Sequence, residues 1–218
     1  MSTHYARGVD GPARRERLAR SRLYLVLEAR PRAQDPRPLL DAALRGGVDV
    51  VQLRDKELGD EALVAAAEPF RAACAEHDAL FVLNDRPDLV EACGADGVHV
   101  GRGDTPVRQA RALIGPERLL GLSASTRAEL ADFAGADYVG VTAFATPTKE
   151  DAVAGGLELV RAAASTLTTP WFAIGGIGLS NAAEVAAAGA PGIAVVRAVR
   201  DAADPEAAAR ELRMALDR

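Results

Sequence analysis

Short apolar runs recur along the chain, separated by alanine-rich segments with helical spacing. Four times such a segment ends in glycine and passes at once into a strand-like run: Gly47-Val48-Asp49-Val50-Val51, Gly94-Ala95-Asp96-Gly97-Val98, Gly135-Ala136-Asp137-Tyr138-Val139 and Gly189-Ala190-Pro191-Gly192-Ile193. A glycine just past a helix supplies the left-handed residue that turns the chain toward a strand. Between these units lie four more runs, Leu23 to Leu27, Leu80 to Leu83, Leu119 to Leu122 and Trp171 to Ile174. The pattern therefore predicts eight strands, each followed by a helix. Apolar strands that alternate with helices indicate a parallel sheet covered on its outer face.

A closed barrel satisfies that pattern with no exposed edge. An open doubly wound sheet would carry a glycine-rich dinucleotide turn after its first strand, whereas Leu27 runs into Glu28-Ala29-Arg30-Pro31. The expected fold is a single (β/α)8 TIM barrel over residues 23–218. Residues 1–22 are expected to form a short basic N-terminal extension, helical or partly disordered. Gly11-Pro12 marks a helix entry, and the helix expected from Pro12 to Arg20 reads as mostly solvated.

Composition narrows the function classes. The 218 residues are 49% hydrophobic and 26% charged, with a formal net charge of −5. That balance argues against a nucleic-acid or anionic-membrane partner, while leaving room for small anionic substrates in a local cationic pocket. Met1 to Arg22 holds six arginines but no apolar run long enough for a signal peptide or a span. Cys74 and Cys93 lack metal-ligand spacing and are expected as buried free thiols in helices, which suits a reducing cytoplasm. Of 26 cationic side chains only Lys56 and Lys149 are lysines. Their retention in an arginine-rich chain points to positions that need a compact ammonium.

Barrel chemistry sits at the carboxyl ends of the strands, and this sorts the polar residues. Asp49, Asp96 and Asp137 precede their strands and belong to turns at the bottom. Strand two continues as Gln52-Leu53-Arg54-Asp55-Lys56; if extended, Gln52, Arg54 and Lys56 share one side at the lumen mouth, suiting a polyanion. The same residues also read as a charged loop with a surface ion pair of little worth. Asn84-Asp85-Arg86-Pro87 follows strand three, and His99-Val100-Gly101-Arg102-Gly103-Asp104 follows from strand four. Asp85 and Asp104 would stand on adjacent rims, where paired hard oxygens suit magnesium. Either alone reads as a helix N-cap. His99 reads equally as a bonded core histidine and is assigned no catalytic role. Ser123-Ala124-Ser125-Thr126 ends strand five and offers a helix cap. Strand six opens a long excursion through Thr142-Ala143-Phe144-Ala145-Thr146-Pro147-Thr148-Lys149. Gly175-Gly176-Ile177-Gly178 after strand seven and Val195-Val196-Arg197 at strand eight fit a second anion site.

Taken together, these motifs resemble the thiamine phosphate synthase family, from about Leu23 to Val199. The resemblance rests on Gln52 to Lys56, Asn84-Asp85-Arg86, His99 to Asp104, Gly121-Leu122-Ser123-Ala124, Thr146 to Lys149 and Ile174-Gly175-Gly176-Ile177. It implies a transferase joining hydroxymethylpyrimidine diphosphate to a thiazole phosphate, with release of pyrophosphate. By that resemblance Gln52, Leu53, Arg54, Asp55, Lys56, Asn84, Ser123 and Lys149 hold the pyrimidine diphosphate, and Asp85 and Asp104 ligate Mg²⁺. Thr146, Pro147, Thr148, Gly176, Val196 and Arg197 correspond to the thiazole phosphate site. Arg54, Lys56 and Lys149 would stabilise the departing pyrophosphate. The chain departs from the family pattern at Arg102, usually glutamine, at Arg197, usually serine, and at Thr142-Ala143, usually Gly-Pro. A thiazole tautomerase of the same fold would carry a histidine at Ser125. A Schiff-base aldolase using Lys56 or Lys149 and a non-catalytic phosphate-ligand sensor are the remaining alternatives.

Overall fold

The apolar runs pair in the order in which they occur. The computed structural model describes residues 10–133, 135–144 and 155–217, and in it eight parallel strands close into a barrel. They are β1 (Leu23–Leu27), β2 (Val50–Leu53), β3 (Leu80–Asn84), β4 (Gly97–Val100), β5 (Leu119–Ala124), β6 (Tyr138–Thr142), β7 (Trp171–Ile174) and β8 (Ile193–Val195). Helix α1 (Gly11–Arg20) precedes β1, and α2 (Arg37–Arg45) and α3 (Asp60–Glu76) follow β1 and β2. Further round lie α4 (Val107–Ile114), α5 (Arg127–Leu130), α6 (Gly156–Thr166), α7 (Ala182–Ala187), α8 (Arg197–Arg200) and α9 (Pro205–Leu216).

One expected helix is absent: β3 is followed by a 3₁₀ turn, Pro87–Leu89. The connection from Asn84 to Gly97 is too short for a full helical return, so Cys93 lies in a turn rather than a helix. Both cysteines are buried and free, as expected.

The period-two pleat divides each strand between two cores. Leu23, Leu25, Leu27, Val51 and Leu53 face the helices. Tyr24, Val26, Val50, Leu80, Val82, Leu119, Tyr138 and Phe172 fill the lumen, where Leu18 of α1 joins them from below. Edge-to-face contacts of Phe172 with Tyr24 (centroids 5.3 Å apart) and Tyr138 (6.0 Å) lock the lumen aromatics.

The bottom aspartates explain the repeat. Asp49 Oδ2 accepts from the amides of Arg22 (2.7 Å) and Leu23 (3.0 Å), Asp96 Oδ2 from that of Phe81 (3.0 Å), and Asp137 Oδ2 from that of Leu120 (2.8 Å). Each aspartate thus satisfies amides where the preceding strand begins, groups that would otherwise cost free energy if buried unpaired. Helix α1 docks on the same carboxylates, with Arg14 Nε 2.8 Å from Asp96 and Arg15 Nε 2.7 Å from Asp137. The expectation of a mostly solvated helix is corrected here. Its arginines meet a ring of carboxylates, and Leu18 is buried in the lumen.

Candidate active site

At the other end of the barrel the strand termini surround one cavity of about 1040 Å³. Gln52, Arg54, Asp55, Lys56, Asn84, Asp85, Asp104 and Ser123 line one side, and Gly175, Gly176, Gly178, Val196 and Arg197 the other. The alternation expected after strand two holds only within β2, where Gln52 points into the lumen, 4% exposed, while Leu53 packs outward against the helices; the strand ends at Leu53, and Arg54, Asp55 and Lys56 all reach the cavity from the loop that follows. Any contact from Leu53 to a ligand would therefore come from its backbone. Asp55 turns back to accept from the amides of Ala29 (3.3 Å) and Glu57 (3.2 Å), shaping the loop. Lys56 Nζ lies 3.5 Å from Asp85 Oδ2, so the compact ammonium reaches the carboxylate rim. Thr146, Pro147, Thr148 and Lys149 lie outside the described residues.

Asp85 and Asp104 are brought together from adjacent strand ends, close enough for each carboxyl to feel the other. Neither caps a helix: the 3₁₀ turn after Asp85 and helix α4 after Asp104 both begin without a side-chain cap. Asp104 Oδ2 instead accepts from the Gly101 amide at 2.9 Å, and Asp85 Oδ2 from Asn84 Nδ2 at 2.6 Å. Asp85 adopts a left-handed backbone, φ 60°, uncommon outside glycine and often found at functional sites. Burial and the facing carboxyl of Asp104 hold Asp85 above the usual carboxylate range, with Lys56 and Asn84 pulling the other way. Two hard oxygens set side by side form a donor set that fits a divalent cation completed by water and ligand oxygens. Among the described residues no cluster of three or more histidine, cysteine, aspartate or glutamate side chains assembles for a metal.

On the glycine side, Gly175 (φ 102°) and Gly176 (φ 59°) take backbone conformations that side chains rarely adopt, and a Cβ on Gly175 would fall 2.3 Å from Phe144 O. Asn181 ties this turn by accepting from Gly178 N (2.9 Å) and donating to Gly176 O (3.0 Å). Arg197 begins α8 at the cavity rim. Arg102 points away from the cavity centre and bonds Asp132 Oδ2 (2.8 Å), Glu129 O (2.8 Å) and Ser123 O (3.3 Å). The departure at this position thus staples the β4 loop to the turn around α5. Thr126, not Ser123, caps α5, in a capping box with Glu129. Ser125 bonds Thr142 Oγ1 at 3.0 Å, with no histidine in its place for acid–base work.

The motifs missed Tyr24, Tyr138, Thr142 and Phe172, which also line the cavity. Their signal was the alternation within Leu23-Tyr24-Leu25-Val26 and Tyr138-Val139-Gly140-Val141-Thr142, which puts every second residue on the lumen face. His99, assigned no role, stands between Tyr138 and Ser123, its Nδ1 3.3 Å from Tyr138 Oη and its Nε2 3.0 Å from Ser123 Oγ.

Fold and site together define a (β/α)8 barrel whose strand-end cavity, the end where such barrels carry their chemistry, has a carboxylate pair and cations on one wall and a glycine-rich turn on the other. The sequence model of the family described as thiamine monophosphate synthase matches residues 23–199. A thiamine-phosphate synthase of Thermobifida fusca is 49% identical over 208 residues, covering 93% of this chain and 95% of its own. Another, of Mycobacterium leprae, is 46% identical over 213 residues, covering 90% and 91%. The solved thiamine phosphate pyrophosphorylase of Pyrococcus furiosus superposes with a TM-score of 0.82 at 35% identity, covering 92% of this chain and 97% of that one. The chain belongs to the thiamine monophosphate synthase family and is a thiamine-phosphate synthase enzyme. A 3-hexulose-6-phosphate synthase of Salmonella typhimurium, at TM-score 0.66 and 18% identity, shares the fold alone. No helix among the described residues is long and apolar enough to cross a membrane.

Proposed function

We propose that the cavity joins an aminopyrimidine methyl diphosphate to a thiazole phosphate by letting pyrophosphate leave first, after which the thiazole nitrogen attacks the exocyclic carbon. An electron-rich aminopyrimidine stabilises positive charge at that carbon, so the demanding event is the growth of negative charge on the leaving group. Arg54 and Lys56 stand on the wall where that charge would grow, and among the described residues Arg54 makes no ion pair. Preorganised cations there act without reorganising as the bond breaks. Lys149 is assigned to the same task from its motif.

Asp85 and Asp104 would hold Mg²⁺, with Asn84 orienting Asp85. When bound, the ion neutralises diphosphate oxygens. Gln52 and Ser123 bind the pyrimidine ring, while Gly176, Val196 and Arg197, with Thr146, Pro147 and Thr148, receive the thiazole phosphate. Anchoring both substrates by their anionic ends removes much of the encounter entropy. The protein works as a cytoplasmic enzyme on small molecules, without a covalent intermediate on a side chain.

The observation that carries this reading is the pairing of Asp85 and Asp104, uncommitted to helix capping, on the wall that also carries Arg54 and Lys56. The test incubates the purified chain with both substrates and Mg²⁺ and measures thiamine phosphate and pyrophosphate. Formation of both products, dependent on each substrate and abolished by chelation, is expected. Binding of both ligands without pyrophosphate release would reject it.

A further inference from the structure

The barrel floor beneath the cavity is crossed by one unbroken line of hydrogen bonds. Gln52 Nε2 donates to Tyr24 Oη at 2.9 Å, Tyr24 Oη and Tyr138 Oη are 3.0 Å apart, and Tyr138 leads to His99 Nδ1 (3.3 Å) and His99 Nε2 to Ser123 Oγ (3.0 Å). Five strands, β2, β1, β6, β4 and β5, contribute one residue each. The backbone is cut away to admit it. A Cβ on Gly121 would fall 2.2 Å from Tyr138 Cζ and 2.5 Å from His99 Nδ1, and one on Gly140 3.1 Å from His99 Cε1. Glycine weakens a strand interior and marks a close approach; here two neighbouring strands carry it against the His99 ring, and Gly121 against that of Tyr138 as well.

The line has one polarity, because a phenol has a single hydrogen to give. Tyr24 accepts from Gln52, and its other partner among the described residues is Tyr138, so Tyr24 donates to Tyr138. Tyr138 then spends its hydrogen on His99 Nδ1. With Nδ1 acting as acceptor, the imidazole carries its proton on Nε2 and donates it to Ser123 Oγ. The Ser123 hydrogen is left for the cavity, as is the Gln52 carbonyl oxygen. Reversal would require every member to turn over, Gln52 included, so the two ends are coupled. Burial raises both phenols far above their usual range, which keeps both hydrogens in place.

The geometry points to Tyr24, Tyr138 and His99 as positioning residues that set Gln52 as an acceptor and Ser123 as a donor toward the bound ring. An aminopyrimidine is the complement: its amino group donates and its ring nitrogens accept. A ring with the opposite edge, such as an oxo-pyrimidine presenting a carbonyl beside an N–H, would meet two mismatched ends. This inference rests on the pyrimidine-binding role proposed above for Gln52 and Ser123, and it adds how their hydrogen-bonding sense is chosen.

The experiment has two arms on the full-length chain. In the first, ¹⁵N NMR of the histidine rings in the unliganded protein reads the His99 tautomer directly. An Nε2–H ring with unprotonated Nδ1 is expected, and Tyr138→Phe, which keeps the ring and removes only the hydroxyl, should move the Nδ1 resonance. An Nδ1–H ring in the parent protein overturns the proposal. In the second, Tyr138→Phe and Tyr24→Phe should each raise KM for the pyrimidine diphosphate about tenfold while leaving KM for the thiazole phosphate within about twofold. Equal changes in both KM values, or a lowered melting temperature with both KM values unchanged, would mean a packing role and also overturn it. If the parent chain makes no thiamine phosphate, the proposed function fails, and the tautomer still decides the polarity of the line.

Discussion

Two sets of aspartates sit at opposite ends of this barrel, and their surroundings differ in kind. At the bottom, Asp49, Asp96 and Asp137 are fully committed. Each accepts from backbone amides at a strand entry and from arginines, with Arg213 at 2.5 Å from Asp49, Arg14 at Asp96, and both Arg15 and Arg111 (2.6 Å) at Asp137. At the top, Asp85 and Asp104 face each other, with Lys56 3.5 Å away as a cation beside them. The bottom carboxylates spend their charge on the fold, whereas the top pair keeps charge available at some cost in stability. A residue type alone does not distinguish the two roles; the partners do.

Removing the top pair should break the comparison most visibly. Asp85→Ala combined with Asp104→Ala is expected to lower magnesium-dependent kcat/KM by roughly 10³-fold or more, equivalent to about 4 kcal/mol of transition-state stabilisation. Far-UV circular dichroism should be unchanged. Full activity in this variant would reject the metal assignment. Lys149→Arg comes next, with an expected loss of about 10²-fold in kcat despite retained charge, because a planar fork does not replace a point ammonium. Steady-state kinetics at saturating Mg²⁺ checks it, and near-parent activity would sink the argument from the two retained lysines.

At the bottom the expected result is the reverse. Asp137→Ala strands the Leu120 amide and two guanidinium groups, so denaturant titration should show a loss of about 1–3 kcal/mol. Activity per folded molecule should remain within twofold or so of the parent. The smallest effect has the opposite sign. Asp104→Asn relieves the repulsion at Asp85 and should raise the melting temperature of the metal-free protein by about 2 °C. The sign follows from linkage. Asp85 is held above its unfolded value, so the folded state binds more protons in that window, and this pair favours folding increasingly as pH falls through it. A melting temperature that falls in Asp104→Asn would show that the pair supports the fold.

Much of the architecture was legible from periodicity. Four strands appear where apolar runs follow glycine-ended segments and four at the apolar runs between them, and sorting polar residues by strand end separated Asp49, Asp96 and Asp137 from Asp85 and Asp104. Less of the site was readable. Gln52 follows an alternation that the sequence displays, but Leu53 shares its motif and faces the other way. Tyr24 and Tyr138 looked like ordinary strand residues, since nothing local reveals that strands β1 and β6 place their hydroxyls 3.0 Å apart. The basic α1 read as solvated because its partners lie far along the chain: Arg15 and Asp137 are 122 positions apart.

Strand count, strand order and the end of the barrel that carries chemistry follow from local patterns, because pleat, helix stop and strand length are properties of consecutive residues. Closure of the barrel, and with it the meeting of Asp85 with Asp104, the docking of α1 and the line from Gln52 to Ser123, depends on the register between strands. Register decides which distant side chains share a layer, and hydrogen bonds and ion pairs exist only at that contact.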